Sequence, residues 1–416
     1  MEKMHDVELL MVGYELLRGD RRDSHLEYLG RRLLDAGVRI DRVHVVGDDR
    51  EEIAGLVRDR RPFTRVLVVT GGLGPTHDDV TREGVADGLG LPLEFDEGQW
   101  GRIQAYFEKH SRRLSESNRR QAMFPRGATP VDNTRGTAPG FTVEAEDCLV
   151  FVLPGPPSEF RAMADAAVLP AVVKMFERPP ALVRTFRTMG IGESAMATLF
   201  DSLTREYDEF TVASLPHVAG VDIILRAKPD AGSAATLGTR AGAFEADLRQ
   251  ALGNKIYTAG DLSLEEVIGL ILVERKASLA VAESLTGGLL GKRLTDVSGS
   301  SRYVLADVVA YSNEAKVDFL GVSEGSLAAF GAVSEPVCRE MAEGIRKRSG
   351  ATYGLATTGI AGPTGGSREK PVGLSYYGVS WGGGSDIRHR VFPGTRGDIR
   401  ERVVWATLFL LYERLS

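Results

Sequence analysis

The amino-acid sequence predicts an α/β protein with three parts, because one core rarely serves 416 residues. Buried runs of strand length alternate with amphipathic helical segments at both ends of the chain, which is typical of parallel sheets covered by helices. An Arg-Pro-Pro sequence at residues 178–180 indicates a linker. We therefore expect a three-layer parallel-sheet domain over residues 1–176, a small α+β module over 177–260 and a second α/β domain over 261–416.

The composition favours a globular protein that works in the cytoplasm. Hydrophobic residues make up 43% and charged residues 26%, and no apolar run reaches the roughly 18 residues that a membrane helix needs. The first residues lack the features of a signal peptide. A net charge of -6 argues against a nucleic-acid partner. Cys148 and Cys338 have neither metal-ligand nor redox spacing, so we expect two buried thiols.

The N-terminal part alternates strands and helices in the order β-α-β-α-β. Apolar strands are predicted over residues 7–12, near 43–46 and over 66–69. Leucines at 26, 29, 33 and 34 indicate the first helix, and apolar residues at 53, 56 and 57 indicate the second. Crossovers of this kind are right-handed and give a parallel sheet.

A glycine-rich loop, TGGLGPTHDD, follows the third strand at residues 70–79. Ligands of open α/β sheets bind at the carboxyl ends of strands. Glycines let the backbone approach a phosphate, and Asp78 and Asp79 are suited to a hard divalent cation such as Mg²⁺. The alternative is a simple turn in which Asp78 or Asp79 caps the next helix.

A second loop, LPGPPSE at residues 153–159, follows another apolar strand and precedes a helix that extends through residue 171. It is expected to face the same cleft, although any sharp turn has a similar composition. Arg135 is a candidate phosphate partner, with a solvated loop arginine as the alternative. The predicted ligand contacts of this part are Gly71, Gly72, Gly74, Thr76, Pro154 and Gly155.

The middle part is predicted to contain strands over residues 183–188, 210–214 and 221–227 and helices over 194–203 and 241–252. Its GIGES loop at 190–194 has no basic residue, which argues against a nucleic-acid clamp. We interpret the module as a spacer or an oligomerisation unit.

The C-terminal part opens with a capping box, Ser263 with Glu266, followed by a helix. The next strand ends in LAVAESLTGG at residues 279–288, which brings Ser284 to the turn between strand and helix. A serine there can attack a carbonyl whose oxygen is held by unpaired N–H groups, here those near Thr286, Gly287 and Gly288. The alternative is that it caps the helix, which is the commoner role of a serine before a helix.

Lys316 is the candidate base for Ser284. The strand predicted over residues 303–312 ends in YSNEAK at 311–316, where Ser312 or Asn313 caps a new helix and Lys316 lies in its first turn. Positive potential at a helix N-terminus and desolvation both lower the pKa of a lysine, which leaves an amine able to take a proton. Ser-Lys pairs are a known variant of nucleophilic catalysis. The alternative is an exposed lysine.

A third glycine-rich loop, TTGIAGPTGGS, follows a strand at residues 357–367. Paired strands are predicted over 374–379 and 387–392, and a terminal helix begins near Arg396, a candidate anchor for a phosphate or carboxylate. The substrate contacts predicted for this part are Thr286, Gly287, Gly288, Thr358, Gly359, Ala361, Gly362 and Arg396.

Five motifs in the C-terminal part, in order, resemble the CinA family of competence/damage-inducible proteins. They are AESLTGG at 282–288, YSNEAK at 311–316, GAVSE at 331–335, TGIAGP at 358–363 and KPVG at 370–373. The N-terminal motifs at 70–79 and GTAPG at 136–140 are similar to the molybdopterin-binding-like domain of that family. The resemblance covers nearly the whole chain.

The resemblance implies that the C-terminal domain is a nicotinamide mononucleotide amidohydrolase of the pyridine nucleotide salvage cycle. Its serine, tyrosine and lysine fall here on Ser284, Tyr311 and Lys316. No cofactor is implied for this amidase. It also implies a metal-dependent ADP-ribose pyrophosphatase in the N-terminal domain, with Asp78 and Asp79 as metal ligands, and a KH-like fold for the middle module. Small nucleotides are the expected partners, with no nucleic acid and no membrane, in a homodimer.

The sequence departs from the family pattern near the N-terminus. Tyr14 stands where many members have a small polar or acidic residue, and His25 stands where asparagine is common. If both positions line the nucleotide cleft, Tyr14 narrows it and His25 offers different hydrogen bonds.

Two further functions stay open. One is a pterin- or nucleotide-binding module whose N-terminal site is inactive. The other is a non-catalytic partner in DNA uptake or repair, against which the lack of basic clusters argues.

Overall fold

A computed structural model describes residues 4–179, 181–218, 220–228 and 231–416. The chain divides into two compact units, Met1–Ala181 and Leu182–Ser416. Pro180 of the predicted linker and the side chain of Ser194 in the GIGES loop lie outside the described residues.

The first unit contains eight strands and seven helices among its described residues. In chain order they are β1 (His5–Val12), α1 (Tyr14–Leu17), α2 (His25–Asp35), β2 (Ile40–Val46), α3 (Arg50–Arg60), β3 (Thr64–Thr70), α4 (Thr81–Leu89), β4 (Leu93–Phe95), α5 (Glu97–Lys109), β5 (Met123–Pro125), β6 (Thr129–Val131), β7 (Gly140–Ala145), β8 (Cys148–Leu153), α6 (Pro157–Met163) and α7 (Leu169–Phe176).

Six strands form one sheet in the order β2-β1-β3-β8-β7-β6. The first four are parallel, and β7 and β6 are antiparallel additions. Side chains alternate between two buried clusters: Leu10 and Leu67 face one, while Leu9 and Val68 face the other. Because both faces are covered, the central strands consist mostly of apolar residues. This confirms the predicted three-layer parallel-sheet fold.

The second unit begins with the middle module. Its elements are β9 (Val183–Thr188), α8 (Glu193–Glu206), β10 (Phe210–His217), β11 (Gly220–Ala227), α9 (Ala234–Leu252) and β12 (Ile256–Ala259). The strands form an antiparallel sheet in the order β10-β11-β9-β12. Phe186, Ile223 and Phe244 are fully buried between this sheet and the helices.

The rest of the second unit is the C-terminal α/β fold. Its elements are α10 (Leu264–Glu274), β13 (Leu279–Glu283), α11 (Leu289–Thr295), β14 (Val304–Val309), α12 (Asn313–Leu320), α13 (Glu324–Phe330), α14 (Glu335–Ser349), β15 (Tyr353–Gly359), β16 (Leu374–Trp381), β17 (Gly384–Val391) and α15 (Arg396–Leu415).

The C-terminal sheet has the order β14-β13-β15-β16-β17, with β13 parallel to both neighbours and an antiparallel hairpin at the other edge. Strand β13 is buried along its whole length. Val281 faces a cluster with α10 and α15, while Ala280 and Ala282 face α14 across the other side. Alanines on that face let α14 pack closely, and both clusters position the carboxyl end of β13.

Among the predicted elements whose extent differs from the structure are the long helix of the middle module and one strand of the C-terminal part. Helix α9 begins at Ala234, seven residues before the predicted start at Ala241, because Ser233 caps it by accepting the N–H of Thr236. Its first turns are rich in alanine, threonine and glycine and so carry a weak helical period. The strand predicted over 303–312 is confined to Val304–Val309.

Across the described residues, no helix combines the length and the apolar character that crossing a membrane requires.

Candidate active sites

Ser284 lies at the carboxyl end of β13, in the turn that leads to α11. Its backbone N–H donates to the carbonyl of Thr357 at 3.0 Å, which ties the turn to the end of β15. The turn closes through Gly287 and Gly288, whose φ angles of 57° and 87° are in the left-handed region. Glycine adopts such angles without a steric penalty.

The structure contradicts the capping role for Ser284. The N-cap of α11 is Gly288. The buried Glu283 carboxylate takes the free N–H groups at this helix start, accepting from Gly288 at 2.9 Å and from Gly291 at 2.7 Å. The Ser284 hydroxyl is thereby left for another partner.

That partner is Lys316. Its Nζ lies 3.2 Å from Ser284 Oγ, and Ser284 and Lys316 are 9% and 1% exposed. The carbonyls of Ala310, Tyr311 and Ser312 also lie within hydrogen-bond reach of Nζ, at 2.9, 3.3 and 3.4 Å. The alternative of an exposed lysine is therefore wrong.

Burial lowers the pKa of Lys316, and the Glu314 carboxylate opposes that shift. The same helix start is capped as predicted, since the Ser312 hydroxyl accepts the N–H of Ala315 at 3.1 Å. A lowered pKa increases the share of neutral amine, whose lone pair can accept the proton of Ser284 Oγ.

Of the predicted oxyanion donors, two are already engaged. The N–H of Gly287 donates to the Ser284 carbonyl at 3.1 Å, and that of Gly288 donates to Glu283. In the described part of the chain, the N–H groups of Leu285 and Thr286 have no acceptor. These two N–H groups are therefore the available oxyanion donors.

Thr286 is held on two sides. Its hydroxyl shares a 2.7 Å hydrogen bond with that of Thr357, and its carbonyl accepts from Arg400 Nε at 3.1 Å and from the Arg400 terminal nitrogen at 2.6 Å. Sequence reasoning overlooked Thr357 and Arg400. Thr357 is the first residue of the predicted glycine loop and lies in β15, and this position was the available signal, but nothing local indicates Arg400.

Tyr311 contacts Lys316 through its backbone carbonyl and Arg396 through its side-chain hydroxyl. Its carbonyl lies near Lys316 Nζ, while its hydroxyl accepts from Arg396 at 3.0 Å. Arg396 also donates to the carbonyl of Gly362 at 3.0 Å. Both side chains are exposed, so this group forms the open rim beside Ser284.

The third glycine loop is tightly packed. Thr358 donates its hydroxyl proton to the Ala332 carbonyl at 2.8 Å, and a Cβ on Gly359 would lie 2.6 Å from Ser375 Oγ. Ala361 is buried in a small cluster with Leu285. Thr358, Gly359 and Ala361 therefore shape the wall of the site, whereas Gly362 reaches Arg396.

In the first unit, a cavity of about 450 Å³ lies at the carboxyl ends of the strands. It brings together both glycine loops, as predicted: Gly71, Gly72, Gly74, Asp78, Asp79, Pro154 and Gly155 all line it. Thr76 does not line the cavity, and neither does Arg135, whose backbone N–H is bound to Asn133. Thr76 instead organises the loop.

The side chain of Thr76 joins the paired carboxylates. Its hydroxyl oxygen lies within hydrogen-bond distance of both Asp78 and Asp79, so its one proton is shared between the two carboxylates, and its N–H donates to Asp79 at 2.9 Å. The N-cap of helix α4 is instead Val80, which provides no side-chain cap. The alternative in which Asp78 or Asp79 caps this helix is therefore wrong.

Four further carboxylates, those of Glu15, Asp23, Asp48 and Glu159, line the same cavity. Burial raises the pKa of Asp48, and the charges of Glu15, Asp78 and Asp79 add to that shift. Within the described ranges, no three His, Cys, Asp or Glu side chains already converge as a metal cluster. Asp48 was overlooked, although its position just after β2 places it at the ligand-binding edge.

Of the two departures from the family pattern, only His25 lines the cavity. Its ring stacks on Phe160 at 4.1 Å, and its Nδ1 lies 3.2 Å from Thr70 Oγ1. Burial lowers its pKa, against the opposing charge of Asp23. Tyr14 is 42% exposed and its ring lies against Gly47, so it does not narrow the cavity.

Gln121 is an additional polar group of this cavity. It is fully buried, and its Nε2 has no hydrogen-bond partner in the described structure. A buried amide donor without a partner is costly. Gln121 is therefore placed to donate to an oxygen of a ligand.

Comparison with known proteins places the whole chain. The sequence profile of the CinA C-terminal domain matches residues 261–415, that of the "Damage-inducible protein CinA KH domain" matches 183–258, and that of a "Probable molybdopterin binding domain" matches 8–174. A CinA-like protein of Frankia casuarinae is 41% identical over 419 aligned residues, which cover 98% of this chain and 96% of its own. The chain belongs to the CinA family.

A second relative agrees. The CinA-like protein of Salinibacter ruber is 43% identical over 375 residues, covering 90% of each chain. Among solved structures, the competence/damage inducible protein of Agrobacterium tumefaciens is 36% identical, covers 38% of this chain and 99% of its own, and has a TM-score of 0.34. Membership of the CinA family is thus carried by sequence along nearly the full length of the chain.

Proposed function

We propose that the C-terminal part of this CinA-family chain hydrolyses the carboxamide of nicotinamide mononucleotide to nicotinic acid mononucleotide and ammonia. The observation that carries the proposal is the 3.2 Å contact between Ser284 Oγ and Nζ of the buried Lys316. A nucleophile and base at hydrogen-bond distance, with the pKa of the base lowered by burial, are what acyl transfer requires.

In the first step, neutral Lys316 takes the proton of Ser284 as Oγ attacks the carboxamide carbon. The carbonyls of Ala310, Tyr311 and Ser312 then stabilise the ammonium that forms, because they already surround Nζ. The protonated lysine returns its proton to the leaving nitrogen, and ammonia departs. Water, activated by the same amine, hydrolyses the ester and restores Ser284.

The N–H groups of Leu285 and Thr286 stabilise the oxyanion in this scheme. Removing one such donor typically lowers the rate by about 10²-fold to 10³-fold. Because Arg400 and Thr357 hold Thr286 in place, these donors are oriented before the substrate arrives.

Arg396 is proposed to bind the substrate phosphate. It lies at the first position of the 20-residue helix α15, where the helix dipole favours an anion. Its contacts in the described structure are uncharged: the Tyr311 hydroxyl and the Gly362 carbonyl. Tyr311 is proposed to orient Arg396 through its hydroxyl and Lys316 through its carbonyl.

Purified protein incubated with nicotinamide mononucleotide tests this activity. Ser284→Ala is expected to remove nearly all ammonia release, while Ser301→Ala, a change at an exposed serine of the same unit, leaves it unchanged. Substantial turnover by Ser284→Ala, or an equal effect of both variants, contradicts the assignment. Complete inactivity of the wild-type chain toward carboxamides would favour the non-catalytic role in DNA uptake or repair.

A second activity, metal-dependent hydrolysis of ADP-ribose, is proposed for the cavity of the first unit. Two features of the cavity favour this activity. The Gln121 side-chain N–H has no partner and can donate to a diphosphate oxygen. The carboxylates that line the cavity can hold a cation, which would neutralise the charge of the diphosphate. The carboxylate donor set fits Mg²⁺. Burial is the main cause of the raised pKa of Asp48, and the charges of Glu15, Asp78 and Asp79 raise it further; a bound cation would offset that second contribution.

Asp78 and Asp79 would hold this cation, with water and substrate oxygens completing its shell. A bound divalent cation lowers the pKa of water and neutralises phosphate charge. The His25 ring, which lines the cavity and stacks on the fully buried Phe160, offers a planar face to a ring of the substrate, and the glycines of the 70–79 loop let the diphosphate approach the backbone. Binding of ADP-ribose without hydrolysis would support the alternative of an inactive nucleotide-binding module.

The homodimer and the cytoplasmic location also stay predictions.

A further inference from the structure

A second cavity, of about 190 Å³, lies within the Leu182–Ser416 unit. The middle module contributes its floor through Met189, Gly190 and Val218, and the C-terminal fold contributes the walls. None of the residues assigned to the Ser284 site lines it. This cavity is called the module cavity below.

The walls of the module cavity are aromatic. Tyr377 and Phe392 come from β16 and from the chain after β17, and Trp405 and Phe409 come from α15. The Tyr377 and Phe392 rings lie 6.1 Å apart at 47° to each other, and the guanidinium of Arg293 covers Trp405 at 3.9 Å and fixes that ring. Such surfaces favour a flat, apolar ring, because tilted and offset aromatic contacts add to the effect of burial.

The module cavity also carries an excess of positive charge. Arg388, Arg390 and Arg402 line it. Arg388 is neutralised by ion pairs with Asp386 at 3.0 Å and with Glu413 at 2.7 Å. In the described part of the chain, neither Arg390 nor Arg402 forms an ion pair, and the Nε of Arg402 is buried without any hydrogen-bond partner.

A buried guanidinium N–H without an acceptor is unfavourable, so the position is incomplete without a ligand. The forked geometry of arginine matches a carboxylate, and charge-assisted hydrogen bonds of this kind are the strong ones. The size of the cavity limits the rest of the ligand: a cavity of about 150 Å³ holds one benzene ring. The contents that satisfy all three properties are one planar ring with one carboxylate.

We propose that the module cavity binds a small aromatic carboxylate, with its ring among Tyr377, Phe392 and Phe409 and its carboxylate toward Arg390 and Arg402. This site is separate from the proposed amidase, and its occupation does not depend on that activity. A neutral ring would contact the aromatic residues and leave the arginines without an anion. An anion without a ring would pair with the arginines and leave the aromatic walls uncovered.

Benzoate is the probe, added to the full-length protein and followed by calorimetry and tryptophan fluorescence. We expect one benzoate per chain, with benzamide and acetate each binding at least about tenfold more weakly, because benzamide lacks the charged carboxylate and acetate lacks the ring. Equal binding of benzamide and benzoate, or no benzoate binding into the millimolar range, overturns the proposal.

Substitutions in the cavity test whether benzoate binds there. Arg390→Gln and Arg402→Gln are each expected to weaken benzoate binding by about tenfold or more, whereas Arg414→Gln, on the same helix but outside the cavity, leaves it unchanged. Arg390 is on an exposed strand, so its variant keeps the test valid even if Arg402→Gln fails to fold. Binding that survives both variants, or that is lost only in Arg396→Gln, places benzoate elsewhere and refutes the site.

Discussion

At the scale of single residues, the chemistry of the proposed amidase depends on Lys316 being both buried and close to Ser284. Desolvation disfavours the ammonium, and three carbonyls around Nζ partly compensate it. A surface lysine would be charged at neutral pH and would keep its proton. The proposed role of Lys316 therefore depends on its burial as well as on its distance from Ser284.

The first prediction is a pH dependence set by Lys316. Ammonia release by the wild type should rise with pH through one step that lies below the ordinary lysine pKa of 10.5, because the neutral amine is the active form. Lys316→Arg should lower the rate by about 10²-fold or more at every pH, since guanidinium stays protonated. Rates are measured across the pH range for both proteins. A pH step of the same position in Lys316→Arg would exclude Lys316 as the base.

The second prediction concerns the carboxyl pair next to Ser284. Burial, followed by the charge of Glu283, raises the pKa of Asp307 from 3.8 to about 7. The folded protein then binds a proton that the unfolded chain has released, so the free energy of unfolding should fall as pH rises from about 4 to about 7. Glu283→Gln should bring the Asp307 pKa down part of the way, since burial remains.

The pKa of Asp307 is measured by carboxyl-carbon NMR, and stability by urea unfolding at each pH. Asp307→Asn is the control, because it removes the titrating group and with it this part of the slope. An unchanged slope in Asp307→Asn would show that another group is responsible.

At the scale of elements, the position of Lys316 depends on how α12 packs on α14. A Cβ on Gly344 of α14 would lie 1.8 Å from the backbone carbonyl oxygen of Leu320, the last residue of α12. Only glycine permits this approach of the two helices. The distance between Ser284 and Lys316 is thus maintained in part by a glycine whose own contact is with Leu320.

The third prediction follows from that contact. Gly344→Ala should destabilise the second unit by roughly 1–3 kcal/mol, as overpacking does, and should lower ammonia release by moving α12. Gly242→Ala is the matched control, because Gly242 is an exposed position of α9 with nothing within 4 Å of a Cβ. It should stabilise by about 0.5–1 kcal/mol. Thermal unfolding and activity are measured for both. Full activity of a destabilised Gly344→Ala would separate helix packing from catalysis.

At the scale of the whole molecule, the two proposed activities belong to different compact units. The 450 Å³ cavity is lined only by residues of Met1–Ala181, and the groups around Ser284 all belong to Leu182–Ser416. Among the described residues, the contacts proposed for each site are made by side chains of its own unit. The two proposed activities should therefore be separable by single substitutions.

The fourth prediction is a crossed pair of losses. Asp79→Ala should abolish hydrolysis of ADP-ribose and leave ammonia release unchanged, whereas Ser284→Ala should do the reverse. Removal of divalent cations should stop only the ADP-ribose reaction, because the serine scheme uses no metal. AMP, ribose 5-phosphate and ammonia are measured in the same preparations. Loss of both activities in either variant would mean that the sites are interdependent.

The sequence by itself determined the elements and the residues that lie at their ends. Period-2 and period-3.6 patterns depend only on nearby residues, so they predicted β1, β3, β13 and the helices that follow them. Glycine loops after strands identified both sites, because parallel strands end at one edge of a sheet. Ser284 and Lys316 became candidates in this way, each from its own turn.

Only the tertiary structure decided which of these residues meet. The contact between Ser284 and Lys316, the carboxylates of Asp48 and Asp79 in one cavity, and the pairing of Glu283 with Asp307 all join separate elements. Such distances depend on strand order and on how closely helices pack, and local periodicity contains neither. For the same reason no motif indicated the module cavity, whose lining comes from segments about 200 residues apart.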